Sequence, residues 1–389
     1  MPGPLTMPDD RAMTPVDAKP GRSCPLHYRY RPADFAAAPA SACDTLYVVG
    51  GLYGNSDALA QVLALFEQER GAKRLVFNGD FNWFDIDAAA FEHINTQVLR
   101  HTALRGNVET ELAAGAGGAD ADADADADAG CGCAYPAWVD DAVVERSNRI
   151  LQRLRATARQ FPALTQRLAA LPMWARVDVA GLRVAIVHGD AESLAGWGFA
   201  QEQLQDAAHR NTVRGWFQAA QVDAFACSHT CLPVFHTLPV PGRTVTPMVL
   251  NNGATGMPNF RGDPAGLFTR IASTPFAGPA VARRHGLRAG AAFVDAIAVD
   301  SASAAWRALF LQQWAVGSDA HESYWQRFAQ GPAFEPAQAL VTTHDQDHDQ
   351  DQDQDHNPDD GNTRLPAKAE CRGQSAPTSA SCTAAAPNP

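Results

Sequence analysis

Lysine is nearly absent from this chain. Only Lys19, Lys73 and Lys368 occur, so the positive charge comes almost wholly from arginine, against a formal net charge of −12 at pH 7. No stretch gathers enough basic side chains to track a phosphate backbone, which leaves nucleic-acid binding without electrostatic support. Long hydrophobic runs are missing too. The opening MPGPLTMPDDRAMTPVDAKPGRS holds no secretory h-region, and no later segment approaches a membrane span. The expected location is therefore the cytoplasm, with no membrane partner. The eight cysteines lie far apart in a chain of 389 residues, much larger than a disulfide-stapled module. Reduced thiols are expected. Cys131 and Cys133 form a lone Cys-x-Cys, two partners short of a four-ligand zinc site, and read as plain loop.

What is present is enough apolar content for a real core. Residues 1–43 are rich in Pro, Ala and Asp without periodicity, and residues 336–389 run through a His/Asp/Gln stretch into a Pro/Ser/Thr/Ala tail. Both ends are expected to be disordered around a domain spanning 44–335. The His344 to His356 run and the Asp120 to Asp128 alternation of Asp with Ala read as solvated segments with no catalytic role.

Inside the domain one step recurs: a short apolar run, then a polar cluster. Thr45 to Val49 leads into a Gly-rich turn and the helical pattern of Asp57 to Arg70. Arg74 to Asn78 leads into Gly79-Asp80, Arg183 to Val187 into His188, Ala224 to Cys227 into His229, and Pro247 to Asn251 into Asn252-Gly253. Each cluster sits just past the carboxyl end of an expected strand, where α/β folds place their chemistry. Gly266 to Ala272 and Ala291 to Val299 read as further strands. Residues 110–175 interrupt the rhythm with a low-complexity loop and apolar helical spacing from about Val139 to Leu171, and are expected to lie over the site as a cap.

Splitting a phosphate ester with metal ions requires a carboxylate, imidazole and amide ligands from several loops, and a bound water acidified into a nucleophile. Asp80, Asn107, His188 and His229 offer such a set on successive loops. The segments Gly50-Gly51-Leu52-Tyr53-Gly54-Asn55, Asn78-Gly79-Asp80, Arg105-Gly106-Asn107-Val108-Glu109, Val187-His188-Gly189-Asp190, Ser228-His229-Thr230-Cys231 and Asn251-Asn252-Gly253-Ala254 follow in order. Together they resemble the five metal motifs, and the loop after them, of the calcineurin-like metallophosphoesterases over roughly residues 44–300. The resemblance implies an α/β (α+β) fold, a four-layer αββα sandwich of two mixed sheets, here with a helical cap insertion.

The departures carry as much information. The family shows Asp-x-His-Gly-Asn in its first motif, where this chain has Gly51-Leu52-Tyr53-Gly54-Asn55, and Gly-His-x-His in its fifth, where it has Ser228-His229-Thr230-Cys231. In the family those three lost ligands serve one metal. The resemblance then implies one dismantled metal site beside one complete site, with a single Mn, Fe or Zn ion held by Asp80, Asn107, His188 and His229. Tyr53 and Cys231 as ligands of a second ion are the alternative. The family's general acid follows the third-motif Asn, and here that residue is Val108; His93, His101, Glu109 and His236 are replacements by sequence proximity alone.

Phosphate also needs hydrogen-bond donors. Candidates for substrate binding are Tyr53, Asn55, Arg149, Asn252 and Arg261, with Arg146 and Asn148 in the cap, while Trp83, Trp197 or Trp216 would stack a base. The expected function is metal-dependent hydrolysis of a small phosphorylated or nucleotide metabolite. The competing expectation is a catalytically impaired phosphoesterase fold acting as a ligand-binding or regulatory module. Oligomeric state is not legible.

Overall fold

The structure, a computed structural model, describes residues 19–22, 24–114 and 130–342. The Asp120 to Asp128 repeat and the His344 to His356 run lie outside the described residues. Helix α1 (Pro32–Ala36) and strand β1 (Ser41–Cys43) precede β2 (Thr45–Val49), α2 (Ser56–Gln68) and β3 (Lys73–Asn78). Next come α3 (Ala88–Val98), β4 (Thr102–Leu104) and α4 (Asn107–Ala114). Helices α5 (Asp141–Ala158) and α6 (Pro162–Ala169) lead into β5 (Trp174–Val179) and β6 (Leu182–Val187). Then follow α7 (Gln201–Leu204), α8 (Ala207–Ala220), β7 (Ala224–Cys227), β8 (Pro233–Thr237), β9 (Met248–Asn252) and β10 (Ala265–Ala272). The described chain closes with β11 (Arg283–Ala289), β12 (Ala292–Asp300), α9 (Ala304–Gln313), α10 (Asp319–Gln330), α11 (Pro336–Ala339) and β13 (Leu340–Thr342).

The strands form two mixed sheets: seven in the order β1-β5-β6-β7-β9-β8-β13 and six in the order β11-β12-β10-β2-β3-β4. Alternation along the strands explains why they stack. On β2, Leu46 and Val48 enter the same apolar cluster as Val184 and Ile186 of β6 and Ala224 and Ala226 of β7, which fills the space between the sheets. Their neighbours Tyr47 and Val49 join the cluster beneath α2 and α3, and Ala185, Val187 and Phe225 join the one beneath α8. A strand whose two faces are both apolar is buried on both faces, so each sheet takes helices on its outer side. The result is the αββα sandwich anticipated from the motifs.

Helix α2 shows how local sequence sets an element. Asn55 caps it by accepting from the Ala58 N–H at 3.0 Å, and Ala58, Leu59, Val62 and Phe66 line the buried face at helical spacing. Asn55 is thereby occupied at the start of a helix.

The ends are longer than expected. Residues 19–43 are partly folded: Tyr28 and Phe35 are wholly buried against Val187 and Phe225, and β1 runs parallel to β5. Tyr28 also donates to Glu111 at 2.7 Å. The segment lacks periodicity because a few isolated aromatics do the packing, and no amphipathic face exists to be read. At the other end, residues 336–342 form α11 and β13, which pairs parallel with β8; a three-residue strand leaves no periodic signal.

The insertion packs alongside the domain. Helix α5 buries Val143, Val144, Ile150, Leu151 and Leu154, and its outer side is tied to α10 by Arg146 to Ser323 at 2.8 Å and Arg149 to Asp319 at 2.7 Å. It is the loop from Cys131 to Val139, ahead of the helices, that lies against the site. Cys131 and Cys133 are joined there as a disulfide, which corrects the reading of both as reduced thiols: residues two apart in a tight loop bring their sulfurs together without any long-range constraint.

Candidate metal centre

Four loops at the carboxyl strand ends meet at one point. The loop after β3 carries Asp80, the turn after β4 leads to Asn107 at the first position of α4, the loop after β6 carries His188 and the one after β7 carries His229. They approach closely enough to exclude side chains. A Cβ on Gly79, whose φ is +75°, would stand 2.5 Å from the Gly106 nitrogen and 2.6 Å from the His188 ring, so only glycine fits. Backbone bonds lock the loops further: Ser228 and His229 N–H both donate to the His188 carbonyl, and Tyr53 N–H donates to the Asp80 carbonyl. Three non-glycine residues here, Tyr53, Asp80 and Cys231, have φ near +55°, at 55°, 51° and 61°. Such strain persists where the surroundings over-determine the backbone.

The polar atoms have a definite sense. Nδ1 of His188 lies 2.8 Å from the Asn78 carbonyl oxygen, and Nε2 of His229 lies 3.0 Å from the Cys133 carbonyl oxygen. A carbonyl only accepts, so each of those nitrogens carries the ring hydrogen, leaving His188 Nε2 and His229 Nδ1 as bare lone pairs. These two face one another at 3.2 Å. Asn107 donates its amide hydrogens toward the Cys131 carbonyl at 3.0 Å and turns Oδ1 to His188 Nε2 at 3.2 Å. Asp80 Oδ2 stands 3.3 Å from the same nitrogen. Four acceptors therefore converge in a buried site, and only an added proton or a metal cation resolves their mutual repulsion.

The spacing fits a metal. Donors at about 2.1 Å from a tetrahedral ion stand about 3.4 Å apart, close to the 3.2 and 3.3 Å found around His188. The imidazole, amide and carboxylate set suits Zn, Fe or Mn. In protonation terms, burial disfavours a charged His188, yet the Asp80 carboxylate lifts its pKa above the ordinary value. Burial, reinforced by His188, pushes His229 down to about 4. Burial would raise Asp80, but His188 holds it below the usual carboxylate value.

Glu109 serves this site from behind. Its carboxylate accepts from the backbone N–H groups of Asp80 at 2.8 Å, Gly106 at 2.9 Å and Phe81 at 3.1 Å, pinning the Asp80 and Asn107 loops together. Burial, then Asp80, pushes its pKa up to about 7.

The side of the site missing its ligands is filled. Tyr53 is buried, its phenol oxygen 2.8 Å from Cys231 Sγ. A Cβ on Gly51 would meet the Tyr53 ring at 2.8 Å, so the tyrosine occupies the ground that an acidic side chain at 51 would need. Burial holds the Tyr53 phenol well above its ordinary pKa, and so neutral.

A pocket opens onto Asp80, Asn107 and His229, with His188 sealed behind them. Its walls come from Tyr53, Trp83, Val108, Tyr135, Trp138, Trp197, Met257 and Tyr324 among others. Trp197 stands edge-on to His229 at 5.5 Å and donates its indole N–H to the Cys133 carbonyl at 3.0 Å, the same oxygen that orients His229.

Of the expected substrate contacts, the structure places Tyr53 at the pocket and the others elsewhere. Asn55 caps α2 and donates to the Gly256 and Ser301 carbonyls. Arg149 is paired with Asp319, and Arg261 with Glu335 on the surface. Asn252 is buried and donates to the Gly50 and Leu267 carbonyls, and Asn148 braces Cys131 N–H. None of His93, His101, Glu109 or His236 lines the pocket, and Trp216 packs on Phe199 and His209. These were nominated by residue type, which does not report direction. Tyr135, Trp138 and Tyr324 were not anticipated; the aromatic pair after Cys133 was the one sequence signal for the first two, and Tyr324, on α10, had none.

Two face-to-face mixed sheets, with the motif loops gathered at their carboxyl ends, define the metallophosphoesterase sandwich. In this protein the buried ligand atoms of Asp80, His188 and His229 lie within 4.8 Å of one another, close enough to hold a metal ion. No family model matches the chain, and no curated protein does. Among solved structures, a metallophosphoesterase from Sphaerobacter thermophilus is 16% identical with a TM-score of 0.45, over 74% of this chain and 99% of that one. A hypothetical protein from Pyrococcus horikoshii is 11% identical with a TM-score of 0.45, over 70% and 94%. Vps29 of Entamoeba histolytica, complexed with zinc, is 12% identical with a TM-score of 0.26, over 65% and 98%.

Proposed function

We propose that the chain is a single-metal phosphoesterase acting on a small phosphorylated metabolite. The convergence of four acceptors at Asp80, Asn107, His188 and His229, with both ring hydrogens committed to carbonyls, carries this reading. When bound, a Mn, Fe or Zn ion there would polarise a phosphoryl oxygen and acidify a water. The protein's own contribution is orientation. The Asn78 and Cys133 carbonyls fix the tautomers of the two histidines, Glu109 holds the loops, and Trp197 and the Cys131 to Val139 loop shield the ligands from bulk water. One ion is favoured over two because Asp80 Oδ1 already accepts from Val108 N–H at 3.2 Å, and Tyr53 with Cys231 fills the neighbouring ground.

The test is metal content measured beside hydrolysis of a phosphate-ester panel by the full chain. About one transition metal per chain together with metal-dependent turnover supports the proposal; a metal-free, inactive protein after loading with Mn, Fe and Zn overturns it. A second reading, a ligand-binding module on this fold, is favoured by one observation: Val108 lines the pocket where the family's proton donor stands. Metal binding without turnover of any ester would select it.

A further inference from the structure

We propose that the Cys131–Cys133 bridge is a thiol-exchange site through which small thiols control the metal centre: oxidised, it holds the ligands in place, and reduced, it releases them. The inference rests on the metal-binding reading of the same site. The reach of the bridge is the first observation. The two cysteines are two positions apart, so the bond joins no distant segments. A disulfide stabilises a fold mainly by closing a loop in the unfolded chain, and that constraint is smallest for so short a loop. The bridge therefore contributes little to global stability, and its effect is confined to what it touches.

What it touches is the metal centre. The Cys131 carbonyl accepts from the Asn107 amide at 3.0 Å. The Cys133 carbonyl lies 3.0 Å from His229 Nε2 and accepts the Trp197 indole N–H, also at 3.0 Å. Asn107 Nδ2 is 3.5 Å from Cys133 Sγ as well. Each bridged residue thus lends its carbonyl to one ligand. These two acceptors decide which atoms remain for an ion: Asn107 offers Oδ1 because its Nδ2 is bound, and His229 offers Nδ1 because its Nε2 is bound.

The segment has little room to yield away from the site. Cys131 N–H donates to Asn148 Oδ1 at 2.8 Å, and Tyr135 N–H to the Gly21 carbonyl at 2.9 Å. Beside Gly132 the Tyr28 phenol stands so close that a Cβ would collide with it. Once the bond is broken the two sulfurs must part to ordinary van der Waals separation, and each carries a hydrogen. With both flanks held, the displacement falls on the carbonyls facing Asn107 and His229. A hydrogen bond weakens steeply as it lengthens or bends, so both ligands lose the acceptor that orients them.

Access favours one sulfur. Cys133 lines the pocket and is 6% exposed, whereas Cys131 is wholly buried. A small thiolate entering the pocket attacks Cys133 Sγ. A new sulfur–sulfur bond forms there as the Cys131–Cys133 bond breaks, and the electron pair leaves on the Cys131 sulfur, which takes a proton. A second thiol then attacks the mixed disulfide. Cys133 departs as a thiol, and the two small thiols leave as their disulfide, so the bridge has gained two electrons and two protons.

The experiment uses the full chain and Mn²⁺, a hard ion for which thiolates are poor ligands. Reduction with dithiothreitol, followed by its anaerobic removal, should raise the Mn²⁺ Kd about tenfold or more, the scale of a lost hydrogen bond to a metal ligand. Oxidised glutathione should restore the tighter binding. The double variant Cys131→Ser, Cys133→Ser should bind as weakly as the reduced parent and ignore the redox treatment. That control separates the pair from Cys24, Cys43, Cys227 and Cys231, the free cysteines among the described residues. Unchanged or tighter binding on reduction would overturn the proposal. So would a bridge that millimolar reduced glutathione leaves intact until the chain is unfolded, or a circular dichroism spectrum that collapses on reduction. If the oxidised chain binds neither Mn²⁺ nor Zn²⁺, the metal-binding reading fails, and the coupling of bridge to site is judged by NMR without metal. The Trp197 indole N–H resonance, assigned with Trp197→Phe, should shift on reduction because its acceptor is the Cys133 carbonyl. An unmoved resonance would overturn the coupling.

Discussion

The phenol oxygen of Tyr53 lies 2.8 Å from the thiol sulfur of Cys231, and the pair closes one side of the site. The Tyr53 ring also sits 2.8 Å from where a Gly51 Cβ would project, at a φ of +61°. Gly51→Asp alone should therefore destabilise the fold by about 2 kcal/mol or more, from backbone strain and overpacking together. The triple variant Gly51→Asp, Tyr53→His, Cys231→His removes the ring first and should recover part of that loss. Chemical denaturation of the two variants checks the order; a single Gly51→Asp as stable as the parent would show that Tyr53 moves freely.

Metal removal should lower stability. The ligand set exists only in the folded chain, so an ion at a hundredfold excess over its Kd contributes about 2.7 kcal/mol, and a chelator should lower Tm by several degrees. A melting curve unaffected by chelation and by added Mn²⁺ or Zn²⁺ would reject binding at the centre.

His188→Ala should abolish metal binding, because its Nε2 is the atom that the other three donors surround at 3.2 to 3.3 Å. Arg261→Ala should leave binding unchanged and alter stability by about 1 kcal/mol at most, since its pair with Glu335 is exposed. Elemental analysis of both variants, with hydrolysis where the parent shows it, separates ligand from surface. Full metal occupancy in His188→Ala would remove it from the ligand set.

The two ends should respond differently to trimming. Removing residues 1–40 takes away Tyr28 and Phe35, both wholly buried. Phe35→Ala by itself should cost about 3–5 kcal/mol. Removal of residues 1–18 touches none of these contacts and should leave the melt unchanged. Coincident melts for the parent and the chain lacking 1–40 would show that the buried aromatics contribute nothing.

Asp85 gives a pH dependence. It is fully buried, and burial pushes its pKa up to about 7. Its folded pKa lies above its unfolded one, so the folded state holds the proton more tightly and stability is fully present below the unfolded pKa, near 4. Stability then falls by up to about 1.4 kcal/mol per pH unit toward pH 7 as the unfolded carboxyl ionises first. Asp85→Asn should flatten this slope, gaining on the parent at pH 8 and not at pH 4. Identical slopes for both proteins in denaturation from pH 4 to 8 would contradict the assignment.

Most strands that precede the polar loops were legible because they are apolar runs of four to six residues: β2, β3, β6, β7 and β9 stand where their runs predict, each followed by its polar loop. Strands β1, β4 and β13, three residues apiece, were not, since they owe their form to a neighbour's free edge and not to their own pattern. Residues 19–43 were misjudged for a related reason. Tyr28 and Phe35 are buried by a surface that other segments build, and composition averaged over a window cannot show that.

Sequence by itself determined the order of the motif loops, the pairing of each with a strand end, and which ligand types remain at 80, 107, 188 and 229. It also determined which are gone at 51, 53 and 231. Only the tertiary structure decided direction. It turned the lone pairs of His188 and His229 toward one another by binding their opposite nitrogens to Asn78 and Cys133, residues 110 and 96 positions away. It set the Tyr53 ring over Gly51, sent Arg149 and Arg261 to carboxylates outside the pocket, and brought Tyr135, Trp138 and Tyr324 around it. The division has a physical cause: the hydrophobic and polar pattern of a segment fixes how it folds locally, whereas the orientation of a side chain depends on which distant backbone groups the packed sheets leave within hydrogen-bond reach.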